Sequence, residues 1–578
     1  MISLLVRFRL SILATILCLI SLGSFSQSIF ELNQNLGRGV NMGNMFEAPS
    51  ENAWGNPFRD DYFQRIAELG FSHVRLPITW ETDGRVSYQS PYTINPSFLN
   101  RIKYVIDKAY EADLMIIINM HHHEDVFEDP EGVKDRFLSQ WSQIGDFFKD
   151  YNERLLFEVL NEPHGNLSPE KWNSYFAEAL EVIRETNPDR AVLIGVAQYG
   201  GLGALPQLKI PNDPNLILTI HYYEPFQFTH QGAEWVSNSD PWLGTVWENT
   251  DLEQRAVESQ FQYALEFSQQ HQIPVNIGEF GAYSKADMES RVLWTNFLAR
   301  WFEKQGFSWA YWEFSSGFGF FDPNTNTYLQ SLVDALLLNE FPEPVITSTV
   351  DIYTSDFTLG NDGWSLSVTS PAVAGIVYEN NEAKISIDSP SDQGWHIQFQ
   401  KGNISLKKGR RYLVSFDGKA DQNLGLTSYV GMSVSPWASY SGYAAASLSK
   451  NERHFEFTFL MNEADDSQAR FVFDMGNVAG TVYLYNLKIE EIVEERSEEV
   501  LSSFKSEDIS IYPNPGNEFL RVKGGVVDVE IFDYSGKLVK KGGLSGQLIN
   551  IENLPAGLYL ISLQKADGAK SFKRFVKH

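Results

Sequence analysis

The 578-residue chain has one cysteine, Cys18, inside an N-terminal apolar stretch. The rest of the sequence therefore has no thiol for a disulfide, a metal or a nucleophile. Basic charge is scarce as well: 46 Lys and Arg stand against 74 Asp and Glu, a formal net charge of −28. That balance excludes nucleic acid as a partner, because phosphate binding needs clustered cations. It suits solubility and a neutral ligand. Beyond the N-terminus no apolar run is long enough to cross a bilayer, so no membrane span is expected in the mature protein. Two further patterns are missing: a true glycine-rich phosphate turn after the first apolar run, where "GVNMGN" is a poor imitation, and the HExxH spacing of helical zinc sites.

The N-terminal stretch has its own reading. Arg7 and Arg9 precede an apolar segment from Leu10 to Leu22, and small polar residues follow. This predicts a secretory signal peptide over residues 1–27. Leu17, just before the cysteine, departs from the small residue a lipoprotein site would want. A chain this long predicts two to four domains.

From residue 36 to 338 short apolar runs alternate with amphipathic segments. The runs are "GRGVNMGN", "HVRLPI", "LMIIINMH", "LLFEVLNE", "AVLIGVA", "NLILTIHYY", "VNIGEF" and "WAYWEF". Near-continuous Val, Ile and Leu point to parallel strands buried on both faces. Helical periodicity fills the gaps, as in "FLNRIKYVIDKAYEADL" and "WNSYFAEALEVIRETNP". Eight such units predict a (β/α)₈ TIM barrel over residues 28–342, with an open doubly wound sheet as the alternative. Residues 351–492 change texture to short alternating runs between Gly, Asn, Asp and Ser, the pattern of a β-sandwich. A charged linker (493–508) and a small all-β C-terminal domain (509–578) follow.

In such a barrel, chemistry sits at the C-terminal strand ends. Read in order, those ends carry Arg75, His121 and His122, Asn161 and Glu162, His221 and Tyr223, Glu279, and Trp312. So many polar ends make an unlikely core, although a single one is more often a structural ion pair. Glu162 and Glu279 stand on the fourth and seventh strands, across the barrel mouth from each other. Two facing carboxylates can cleave a glycosidic bond, one giving a proton to the leaving oxygen and the other attacking the anomeric carbon. The run "HHHED" first evokes a metal site. Strand alternation separates His121 from His122, and His123, Glu124 and Asp125 read as part of the following loop.

In these strand-end motifs, residues 36–340 resemble glycoside hydrolase family 5. The resemblance implies a retaining mechanism with Glu162 as general acid/base and Glu279 as nucleophile. It implies that Arg75 keeps Glu279 ionised, that Tyr223 donates a hydrogen bond to it, and that His221 supports the acid/base side. Asn161 would grip the sugar 2-hydroxyl, the histidines of "NMHH" would contact substrate hydroxyls, and Trp312 would lie under the sugar beside the scissile bond. No cofactor or metal is required for that catalysis. The loops after the first and sixth apolar runs, "NMGNMFEAPSENAWG" and "HYYEPFQFTHQGAEW", look like those of β-glucan-active branches, so the expected activity is endo-hydrolysis of β-1,4 or mixed-linkage β-1,3-1,4 glucan such as cellulose. A mannan, glucomannan or xyloglucan hydrolase is the alternative, and a non-catalytic surface glycan-binding protein is another. Trp54, Trp235, Trp242 and Trp247 lie in the long loops, each as apt to pack beneath its loop as to face sugar.

"DGWSL", "GWHIQFQKGNISLKKGRRYLVSFDGKADQ" and "RFVFDMGNVAGTVYLYNLKIE" resemble jelly-roll carbohydrate-binding modules of the superfamily of families four, nine and twenty-two. Trp364 and Trp395 fall where that fold keeps core tryptophans. Trp437, Tyr440 and Tyr443, in "SVSPWASYSGY", form the candidate sugar face in an exposed loop, with a purely structural sandwich as the alternative. The superfamily often carries a structural calcium, for which no ligands stand out here. "YPNP", "IFDYSGKLV" and "LPAGLYLISL" resemble the sorting domain of the type IX secretion system. The implied partners are that machinery and a polysaccharide, and the implied location is secreted or cell-surface.

Overall fold

The computed structural model describes residues 28–493 and, within the C-terminal segment, 510–512, 519–523, 526–533, 537–542, 548–555, 557–565 and 570–577. The expected signal peptide and residues 494–508 of the expected linker lie outside the described residues.

Eight parallel strands close on themselves: β1 (Arg38–Asn41), β2 (His73–Leu76), β3 (Met115–Asn119), β4 (Leu155–Glu158), β5 (Val192–Gly195), β6 (Leu216–His221), β7 (Val275–Phe280) and β8 (Ser308–Tyr311). Closure is made by β1 pairing in parallel with β8. This is the TIM barrel, and the open sheet is overturned. All eight run where the apolar stretches predicted them, because a strand buried on both faces has no polar side to disguise it. Between them, helices start at residues that satisfy the free N–H groups of the first turn. Asn95 accepts from Ser97 N ahead of the helix Pro96–Glu111, and Ser168 accepts from Lys171 N ahead of Pro169–Arg184. Thr250 and Glu253 form a capping box on the long helix Asp251–His271.

The ladder is irregular where it reaches the mouth. Register shifts fall between Ile220 and His221 on β6 and between Ile277 and Phe280 on β7. Such shifts re-aim side chains next to a site, and here they bracket His221 and Glu279.

Residues 348–493 form a two-sheet sandwich. One sheet has the order Val373–Glu379, Glu382–Ser389, Gly480–Val493, Arg411–Ala420, Arg453–Leu460, with Ser348–Ser355 also paired to Gly480–Val493. The other has the order Ser365–Val368, Ile397–Leu406, Asp466–Asp474, Leu424–Gly431, Ala444–Leu448. Trp364 is 1% exposed, stacks on Phe399 at 4.5 Å and donates its indole N–H to Tyr353. Trp395, expected in the core, is 52% exposed. It sits in a one-turn helix, Gly394–His396, that leads into a strand and turns the ring outward. The two tryptophans should therefore part company on truncation. Trp364→Ala is expected to destabilise the sandwich by about 3–5 kcal/mol, the cost of a large aromatic cavity. Trp395→Ala is expected to stay within about 0.5 kcal/mol, as for a surface site. Chemical denaturation of both variants checks this, and equal losses would restore Trp395 to the core.

The sandwich packs on the barrel. Leu252 is buried with Leu413 and Ile492, Arg411 is gripped by Glu248 and Glu253, and Arg453 pairs with Glu266. Arg453 also lies over the Tyr263 ring at 4.6 Å. The C-terminal segment contains a three-stranded and a four-stranded antiparallel sheet. Its own core includes Leu520, Ile531, Ile549, Ile561 and Phe575. Among the described residues, no helix is long and apolar enough to cross a membrane.

Candidate active site

The strand ends bring the predicted residues together at one mouth. Arg75 on β2 is completely buried and holds four partners. Its Nε and Nη2 donate to the two oxygens of Glu158 at 2.6 and 2.8 Å. Nη1 donates to Glu279 Oε1 at 2.7 Å and to Asn41 Oδ1 at 2.9 Å. Nη2 also donates to Asn161 Oδ1 at 2.8 Å. One guanidinium thus carries the charge of two buried carboxylates, a task its planar fork can do and an ammonium cannot.

Glu279 receives a second donor, the Tyr223 hydroxyl at 2.8 Å from Oε2. His221 Nδ1 stands 2.8 Å from Glu162 Oε1 and 3.6 Å from Glu279 Oε2. Donor atoms of Glu162, His221 and Glu279 all fall within 4.8 Å of one another. Gly278 makes room for this arrangement. A Cβ there would sit 2.6 Å from Thr219 Oγ1 and 3.0 Å from His221 Nε2. Glu162 itself has φ 45°, in the left-handed region that a glutamate rarely adopts. Such backbone strain gathers at functional sites, where surrounding structure holds it.

The electrostatics follow from these contacts. Burial raises Glu279 from the ordinary glutamate value, while His221, Arg75 and the Tyr223 hydroxyl pull it back. Burial acts to lower His221, but the carboxylates of Glu279 and Glu162 outweigh it and raise the imidazole. Glu158 is likewise pushed up by burial, and the charge and hydrogen bonds of Arg75 more than reverse that.

His121 is buried just past β3, with its ring stacked on Trp312 at 5.7 Å and 9° and one nitrogen 3.1 Å from Asn119 Nδ2. His122 lies edge-on to the His121 ring at 4.9 Å and also meets Trp54 edge-on at 6.2 Å. His123, expected in a loop, is buried and accepts from Val126 N, capping a short helix Glu124–Glu128 that includes both acids. The three histidines do not converge. Among the described residues, the converging acid–histidine group is Glu162–His221–Glu279. An ion there would meet the Arg75 guanidinium on Glu279 and a His221 whose raised value favours the cation, so the donor set is a poor metal site.

Several participants escaped the sequence reading: Asn41, Glu158, Glu47 and Glu313. Glu158 sits inside the fourth apolar run, and a charge there is itself a signal, since it must have a buried partner. Burial raises Glu47 to about 7 and Glu313, next to Trp312, to about 8. Of the loop tryptophans, Trp54 and Trp235 are exposed and Trp247 is buried. In the sandwich, Trp437 and Tyr443 are exposed as expected. Tyr440 is not free: it packs on the sandwich core and donates its hydroxyl to Asp466 at 2.9 Å.

Comparison with known proteins gives three matches along the chain. Residues 36–317 match the model for cellulase (glycosyl hydrolase family 5). Residues 351–481 match a carbohydrate binding domain, and 510–578 a secretion system C-terminal sorting domain. Endoglucanase H of Acetivibrio thermocellus is 34% identical over 313 residues, 53% of this chain, which spans only 33% of that protein. Endoglucanase A of Ruminococcus albus is 30% identical over 347 residues, covering 54% of this chain and 93% of that protein. The crystal structure of endoglucanase Cel5A from Thermotoga maritima is 50% identical, with TM-score 0.52 over 54% of this chain and 99% of that one. The same protein has been solved with mannotriose, at 49% identity, 53% and 99% coverage and TM-score 0.52.

Proposed function

Because the chain belongs to glycosyl hydrolase family 5, we propose that it is a secreted, retaining endo-β-glucanase acting on β-1,4 or mixed-linkage β-1,3-1,4 glucan. The observation that carries this reading is the pair Glu162 and Glu279, whose oxygens approach within 4.8 Å across the barrel mouth. Retaining enzymes hold their carboxyls about 5–5.5 Å apart, and inverting ones leave room for a water at about 6.5–9.5 Å.

In the first step Glu279 attacks the anomeric carbon as the C–O bond breaks, and Glu162 gives its proton to the departing oxygen. In the second, Glu162 takes a proton from water, which attacks the same carbon and frees Glu279. Arg75 and Tyr223 hold Glu279 by 2.7 and 2.8 Å hydrogen bonds and aim it. Asn161, fixed through its Oδ1 by Arg75, keeps its amide N–H groups for the sugar 2-hydroxyl. His121 and His122 serve neighbouring hydroxyls, and Trp312, backed by the His121 ring, offers an aromatic face to the adjoining sugar.

No cofactor enters this chemistry. A structural calcium in the sandwich would draw on backbone and amide oxygens, because among the described residues no three of its acids converge. Type IX secretion is the route that the sorting domain supports, with release or retention at the cell surface.

Activity depends on an ionised Glu279, so kcat/KM is expected to fall as pH drops through that group's free-enzyme pKa. Since burial raises it, the midpoint of the acid limb should lie above 4.5, the ordinary glutamate value. A limb centred below that value contradicts the assignment.

The mannotriose complex of the Thermotoga relative favours one second reading, β-mannan or glucomannan hydrolysis on the same scaffold. Reducing-sugar release from carboxymethyl-cellulose, barley β-glucan and glucomannan, with product sizing, separates the two. A protein inert on all three would be a glycan-binding protein on a dead barrel.

A further inference from the structure

A cavity of about 820 Å³ opens between the barrel mouth and the sandwich, within the range of built ligand sites. On the barrel side it is lined by Glu162, Tyr199 and Trp235, among others. On the sandwich side its wall includes Thr427, Tyr443, Asp474 and Asn477. These come from two adjacent strands, Leu424–Gly431 and Asp466–Asp474, and the loops beside them.

The placement is tight. Gly425 lies against the loop after β5 so closely that a Cβ would stand 2.5 Å from the Gly203 carbonyl oxygen. The Ser447 hydroxyl donates to Leu202 O at 3.2 Å alongside. The dry part of the junction, around Leu252, Leu413 and Ile492, does not include the cavity wall. Yet Tyr443 is 58% exposed, with an edge of Tyr429 against it at 5.0 Å and 65°. Tyr199 and Trp235 are exposed too. Three exposed aromatic rings, of which Tyr199 is stacked on His164 by one face, beside an amide, a hydroxyl and a carboxylate are the equipment of a sugar site: flat apolar faces for C–H surfaces and polar groups for hydroxyls.

The chemistry says which part of the substrate goes there. Glu162 lines the cavity, whereas Glu279, His121 and Trp312 are outside its lining. The residue that protonates the departing oxygen faces the leaving-group half of the cleft. We infer that the sandwich completes the leaving-group half of the catalytic cleft, with Tyr443 and Asn477 holding sugars of a β-glucan chain several units beyond the scissile bond. The second domain would then act within the cleft on the chain being cut, in addition to any separate hold on polysaccharide. This rests on the hydrolase reading above.

The test compares cellohexaose, long enough to reach the sandwich, with an aryl β-cellobioside, whose leaving group is a single ring. In full-length Tyr443→Ala/Asn477→Ala, the ratio of kcat/KM on cellohexaose to that on the aryl glycoside should fall about tenfold, the scale of one lost aromatic contact with its hydrogen bonds. Both side chains are exposed, so folding is not at issue. An unchanged ratio overturns the inference. Cellohexaose titration into Glu279→Gln, with and without the double substitution, reads the same site without turnover. Weaker binding in the triple variant supports the inference even if the wild type proves inert, an outcome that would sink the hydrolase reading alone. Equal binding overturns the inference.

Discussion

Glu279→Gln is expected to lose turnover on every β-glucan by on the order of 10⁴-fold, because an amide of the same shape cannot form the glycosyl ester. The substitution keeps the size and shape of the side chain and one of its two accepting oxygens, so folding should survive and substrate should still bind. Glu162→Gln provides the contrast. A general acid contributes about 10²- to 10⁴-fold, and that contribution shrinks when the leaving group needs no proton. With an aryl β-cellobioside bearing an acidic phenol, the first step of Glu162→Gln should approach the wild-type rate, while Glu279→Gln stays inert. Pre-steady-state release of the phenol separates them. If Glu279→Gln gave a burst and Glu162→Gln did not, the two roles would have to be exchanged.

Arg75→Leu is the second large effect, and it falls on stability and activity together. The side chain is buried between Glu158 and Glu279 and hydrogen-bonds both. Removing it leaves two carboxylates with no counter-charge at that position, and breaking a buried pair this way costs about 3–5 kcal/mol. The pH dependence has a definite sign. In the wild type Glu158 lies below its ordinary value of 4.5. The stability it contributes is therefore present above that pH and lost as pH falls through the lowered value. Without Arg75, burial raises both carboxyls, and protonating them relieves the variant. The gap between wild type and Arg75→Leu should narrow from about pH 7 toward pH 5, as seen in denaturation midpoints. A gap that stays constant or widens would mean that the two glutamates find another cation. Arg75→Lys should rescue little activity, since one ammonium cannot serve Glu158, Glu279 and Asn161 together.

The barrel was legible because its strands are buried on both faces and its helices announce their starts. "SPE" before Trp172 and the polar ends of apolar runs are local signals, readable without knowing what lies opposite. The partners of those ends were not readable in the same way. That Arg75 is shared between Glu158 and Glu279 depends on two strands, 83 and 204 residues away in sequence, meeting one guanidinium. Spacing along the chain carries no trace of that. Trp395 misled for a related reason: its neighbours in sequence describe the sandwich, but one helical turn decides which way the ring faces. Tyr440 and Tyr443 are three positions apart in one loop, and only the fold tells them apart, one tied to Asp466 and the other left open.

Glu253 has a double occupation. It closes the capping box of the helix after β6, with Oε2 accepting from Thr250 N at 2.8 Å, and it pairs with Arg411 of the sandwich. The two domains therefore do not behave as interchangeable parts on a string. A designer who replaced the sandwich with another binding module would have to bring a cation to the place of Arg411, or accept a buried acid facing apolar surface at the start of that helix. Among natural rearrangements the same rule would apply: modules could be traded only together with the acidic docking strip on the barrel that receives them.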